Sequence, residues 1–127
     1  MKKLIKVLLA VVLIFAVVMA GSMIYLSNGL EEGKNVAING IDLSHVNDGT
    51  YTGVFEEGRW TNNVQVTVKD HRITGIKILK DVAFSRPEIR EEIFRRVIDA
   101  QNTKVDAVSQ ATVTSKAYLK AIEDAVK

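Results

Sequence analysis

The sequence predicts an α+β fold, a small antiparallel meander covered by helices and preceded by one N-terminal transmembrane helix. Three patterns carry that prediction. Leu4 to Leu26 is apolar apart from Lys6 and two small interruptions, Val64, Val66 and Val68 alternate with Gln65, Thr67 and Lys69, and Ile89, Ile93 and Val97 recur at helical spacing. At about 1.5 Å per residue the first run matches the roughly 30 Å core of a bilayer. The second has the period of a strand with one wet face, and the third that of a helix with one dry stripe.

Residues 1–26 are therefore expected to form a membrane anchor. Lys2, Lys3 and Lys6 precede or begin the span and no basic residue follows until Lys34. This asymmetry predicts a single-pass protein of the cell membrane, with a cytoplasmic N-terminus and the remainder outside. A cleaved signal peptide is the competing reading, with Val18-Met19-Ala20 as the cut site; the apolar run nevertheless resumes through Met23, Ile24, Tyr25 and Leu26. Residues 27–47, rich in Asn, Gly, Ser and Glu, read as a linker, with a short strand at Val36 to Leu43.

The domain proper is expected over 48–127. Asp48-Gly49 signals a turn, Thr50 to Phe55 is β-prone, and Glu56-Glu57-Gly58 leads to the Val-x-Val-x-Val strand. Asp70-His71-Arg72 makes a tight link to a third strand, Ile73 to Lys80, whose phase slips so that a bulge is expected at Gly75. Ser85-Arg86-Pro87-Glu88 opens a helix, with Ser85 as cap, Glu88 reaching back and Pro87 in the first turn. Its dry stripe is Ile89, Ile93 and Val97; Arg90, Glu91, Glu92, Arg95 and Arg96 are expected to face water. A last helix from about Ser115 carries Ala117, Ala121 and Ala125 beside Tyr118, Ile122 and Val126, small enough for close packing.

Composition removes several classes of function. The formal net charge is +2, with 17 Lys and Arg against 15 Asp and Glu. Three of those lysines belong to the anchor, so the rest is close to neutral and nucleic-acid binding is not indicated. With no cysteine there is no disulfide, thiolate metal site, iron–sulfur cluster or covalent haem. His45 and His71 have no partners at ligand spacing and read as solvated, so no metal site and no catalytic group is assigned. Electron transfer here would need an organic cofactor.

Asp106-Ala107-Val108-Ser109-Gln110-Ala111-Thr112-Val113-Thr114-Ser115 places several hydroxyls where a small-residue loop enters a helix. By composition alone this is a turn ending in an N-cap, and Asp106 an ordinary Asx turn. The same loop also suits a phosphate, because free N–H groups and the helix dipole meet there.

Asp106, Ser109, Gln110, Ala111 and Thr112 resemble the flavinylation motif of the FMN-binding domain family, roughly Asp-x-x-Ser/Thr-Gly-Ala-Thr/Ser. The family includes the flavin-carrying C and G subunits of sodium-pumping quinone reductases and related complexes. The likeness extends over roughly residues 48–127, through Asp48-Gly49-Thr50-Tyr51-Thr52-Gly53, the Val-x-Val-x-Val strand and Ile76 with Ile78. Gln110 stands where the family most often has Gly, which matters if the backbone there needs positive φ.

The resemblance implies FMN joined through a phosphoester to Thr112, with Asp106, Ser109, Gln110, Ala111 and Thr114 around it. It also implies a magnesium-dependent flavin transferase using FAD as modifying enzyme, and a membrane redox donor or acceptor of the quinone-reductase kind as partner. Trp60 and Tyr51 are aromatic candidates for the flavin ring, with strand packing as their other role. The implied function is an electron-transfer relay outside the membrane rather than an enzyme acting alone. The alternative is a non-redox extracytoplasmic binding or sensing module that has lost flavinylation.

Overall fold

The computed structural model describes residues 1–27 and 36–127. Helix α1, Lys2–Ser27, is long and apolar enough to cross a membrane, with a mean hydropathy of 2.9 and none of its residues buried. The stretch 28–35 of the expected linker lies outside the described residues.

Strands β1 (Gly49–Phe55), β2 (Asn62–Lys69) and β3 (Arg72–Lys80) form a three-stranded antiparallel sheet in chain order. This is the predicted meander. Asp70 and His71 both take positive φ, 53° and 61°, the conformation of a two-residue hairpin turn whose twist matches its strands. Asp48 Oδ1 accepts from the Asp70 N–H at 2.8 Å, tying that turn to the start of β1. The register slips where Thr67 pairs Gly75 and Val68 pairs Ile73. Thr74 is thus the extra residue, adjoining the Gly75 that the sequence pointed to.

Two helices cover one face. Helix α2 (Pro87–Ala100) buries Ile89, Ile93, Phe94 and Val97, and helix α3 (Thr112–Ala125) buries Ala117, Tyr118, Leu119, Ala121, Ile122 and Ala125. Against them lie Val64, Val66 and Val68 of β2, each worth about 1.5–3 kcal/mol when fully buried. Gly53 of β1 lets α3 approach closely, since a Cβ there would fall 1.9 Å from the Ala121 carbonyl oxygen. The Phe94 and Tyr118 rings meet edge to face at 5.7 Å.

Local chemistry differs from expectation at several termini. Val36 to Leu43 is not a strand; Leu43–His45 is a 3-10 turn, and Leu43 and Val46 join the core. Buried Glu123 draws this segment in by accepting from the N–H groups of Asn39 and Gly40 at 2.9 and 3.0 Å. Ser85 does not cap α2: the N-cap is Arg86, without a side-chain cap bond, and Glu88 pairs with the Arg86 guanidinium instead. Pro87, with no N–H to satisfy, opens the helix as predicted. At the other end Gln101 turns left-handed, φ 54°, and its amide serves both the N–H and the C=O of Ile73 on β3.

Candidate functional site

Helix α3 begins at Thr112, three residues earlier than the sequence suggests, because Ser115 is not its cap. Ala111 is the N-cap residue and contributes no side-chain hydrogen bond. The first N–H groups of an α-helix have no intrahelical acceptor, so Thr112, Val113 and Thr114 present donors at the positive end of the dipole. The helix start is open to an anion.

The loop before it is held by its own backbone and by one buried hydroxyl. Ser115 is fully buried, and its Oγ accepts from the Val108 N–H at 3.0 Å. The Ala111 N–H donates to the Val108 carbonyl at 2.9 Å and the Ser115 N–H to the Ala111 carbonyl at 2.8 Å. Gln110 sits between these bonds at φ 65°. A left-handed residue is what turns the chain into the helix, and glycine reaches it without steric cost. That is the physical reason a glycine suits this position, and Gln110 adopts the same backbone.

Around this turn Ser109, Gln110 and Thr112 are exposed, Thr114 is half-buried and Ala111 is buried. Asp106 is exposed, and its backbone carbonyl accepts from Arg96 Nη1 at 2.8 Å. The six motif residues therefore lie along one turn and helix entrance, with Thr112 among the exposed ones. Beside them a cavity of about 730 Å³ is lined by Arg96, Asp99, Lys104, Asp106, Ala107 and Ser109 among others. A second cavity, about 590 Å³, lies at the C-terminal end of α3 near Glu123 and Lys127 and shares no motif residue.

Other candidates fare differently. Trp60 lies in a 3-10 turn rather than a strand, only 4% exposed, with the Arg59 guanidinium 4.4 Å over its ring. Tyr51 is in β1, and its hydroxyl donates to the Asn47 carbonyl at 2.6 Å. Trp60 belongs to the core, and Tyr51 packs against it half-buried. His71 is not simply solvated: Nδ1 lies 3.1 Å from the carbonyls of Leu43 and Val46. Two carbonyls can only accept, so that nitrogen carries the proton. His45 is exposed beside Asp42 at 3.4 Å. No cluster of metal-binding side chains occurs among the described residues.

Two arginines expected in water belong to tertiary networks. Arg90 pairs with Asp81, whose Oδ1 also accepts from the Tyr118 hydroxyl at 2.5 Å and whose carboxylate receives the Val82 N–H. Burial opposes charge on Asp81, but the bonds from Tyr118, the Val82 N–H and Arg90 outweigh it and hold the carboxyl below its usual range. Burial, with Asp81 as partner, pushes the Tyr118 phenol well up. On α2, hydrogen bonds from Arg95 and then Arg96 pull Glu92 down to about 2. The sequence carried no signal for Arg96, whose helical position read simply as surface.

The residues present suit a flavin phosphate: an uncapped helix start supplies donors, and Thr112, an exposed residue, carries a hydroxyl. The sequence model of the FMN-binding domain matches residues 59–127. No curated protein matches the chain.

Proposed function

The chain belongs to the FMN-binding domain family, and on that premise we propose that it carries FMN covalently on Thr112 as an electron-transfer relay anchored by α1 outside the cell membrane. The observation that supports this most is the exposed residue Thr112 at the uncapped start of α3, two residues after the left-handed Gln110. FMN, once bound, supplies one- and two-electron chemistry; the protein's part is to hold and orient it. The N–H groups of Thr112, Val113 and Thr114 would hold its phosphate, with the Ser109 and Thr114 hydroxyls as further donors.

Thr112 is an acceptor rather than a catalyst. A flavin transferase joins Thr112 Oγ1 to the FMN phosphorus of FAD, the bond to AMP breaks, AMP leaves, and the hydroxyl proton passes to the transferase or to water. A covalent bond suits a chain held outside the cytoplasm, where a dissociated flavin would be diluted and lost. The partners are that transferase and a membrane redox donor or acceptor of the quinone-reductase kind.

The test is co-expression with a magnesium-dependent flavin transferase, followed by intact mass, in-gel flavin fluorescence and peptide mapping. The expected mass is FMN on Thr112, absent from Thr112→Ala, partly kept in Thr112→Ser and largely kept in Thr114→Ala. FMN on Thr114 overturns the assignment. A folded chain with no flavin turns the reading to a non-redox binding or sensing module.

A further inference from the structure

We propose that Arg96, itself held by Glu92, is a positioning residue for flavin transfer: it fixes the first carbonyl of the motif loop so that Thr112 is presented in one geometry. This inference rests on the flavin reading above, but its structural half does not.

Besides its own Ala111 N–H to Val108 carbonyl bond, the loop from Asp106 to Ala111 is fastened by side chains at two places. Midway along it Ser115 Oγ receives the Val108 N–H from within the same motif. At its near end the donor comes from α2, where Arg96 Nη1 reaches the Asp106 carbonyl at 2.8 Å. Arg96 is prepared for this, since its Nε donates to Glu92 Oε1 at 2.9 Å one helical turn back. Glu92 is in turn gripped by Arg95 through Nε at 3.0 Å and Nη2 at 2.6 Å. An arginine that merely paired along its own helix would have no bond outside it. Here the planar guanidinium spends one edge on Glu92 and another N–H on the loop, a division a single ammonium cannot reproduce.

The consequence falls on Thr112. Directly beyond the Val108 fastening the chain makes its left-handed turn at Gln110, where a non-glycine residue favours other conformations when unrestrained. Releasing the Asp106 end leaves only the Val108 N–H to Ser115 Oγ and Ala111 N–H to Val108 carbonyl bonds to hold that turn, and the acceptor hydroxyl then samples positions away from the attacking geometry. Small misplacements of a reacting group are costly to rate. On this proposal Arg96 acts through the loop and not on the transferase, so the KM for the chain stays at its wild-type value.

The test compares the full chain with Arg96→Met, which keeps the apolar stem and removes every donor, and Arg96→Lys, which restores one donor centre. Steady-state transfer from FAD should show kcat lower by about tenfold in Arg96→Met, KM for the chain unchanged, and partial recovery in Arg96→Lys. Amide exchange should quicken at Val108 and Ala111 while Val64, Val66 and Val68 keep their wild-type protection. A raised KM at constant kcat means that Arg96 touches the transferase and overturns the proposal, as does wild-type exchange at Val108 and Ala111. If the wild-type chain accepts no flavin, the flavin reading falls by itself, and the exchange data still decide whether Arg96 holds the loop.

Discussion

Gln110 adopts φ 65° at the one turn where the chain must reverse into α3. A side chain in that region crowds its own backbone, at about 1–2 kcal/mol relative to glycine, part of which glycine returns through the greater freedom of its unfolded chain. Gln110→Gly should therefore stabilise the domain by roughly 0.5–1 kcal/mol, read as a higher midpoint in thermal or urea unfolding. It should also raise flavin occupancy when the transferase is limiting, because the bare backbone opens the approach to Thr112. A lower midpoint would mean that the Gln110 side chain contributes more than its backbone costs. The family-like spacing from Asp106 to Thr112 was legible in the sequence, and so was the question of positive φ; that Gln110 pays the strain was legible only once the loop was closed by Ser115 and Arg96.

At the scale of elements, α3 lies close over β1 at Gly53. A Cβ on Gly53 would lie 1.9 Å from the Ala121 oxygen, 2.5 Å from the Ala125 nitrogen and 2.8 Å from the Ala125 Cβ. Two of those atoms are helix backbone, so nothing flexible can yield. Gly53→Ala should push α3 outward and cost about 3 kcal/mol, with a matching fall in the unfolding midpoint. A change below about 0.5 kcal/mol would show that the helix can slide freely on the sheet. The alanines at 117, 121 and 125 announced a close-packed helix, but its partner could not be read from them, because small residues specify nearness and not the surface they approach. The start of α3 escaped for a related reason: Ser115 has the side chain of a cap, and only its burial shows that it serves Val108 instead.

Across the whole molecule, α2, α3 and the end of β3 are joined by the Arg90, Asp81 and Tyr118 network. The Asp81 carboxyl lies below its usual value in the folded chain, so it stabilises the fold above its unfolded value of about 3.9 and loses that contribution as the pH falls through the folded value. Asp81→Asn should cost about 1–3 kcal/mol at pH 7, by leaving Arg90 without its carboxylate. Its unfolding midpoint should then drop less than the wild type's between about pH 5 and pH 2. Parallel acid profiles would place the acid sensitivity elsewhere. The sequence by itself determined the apolar span, the three strands in order, the dry stripe of α2 and the motif at the start of α3. These are written in short-range periodicity and turn chemistry, which neighbours along the chain enforce on one another. Only the tertiary structure decided that Glu123 would draw in Asn39 and Gly40, that Arg90 would meet Asp81 and that Arg96 would hold Asp106. A charged residue on a helix is marked by local pattern only as wet or dry, and its partner is chosen by segments that folding alone brings together.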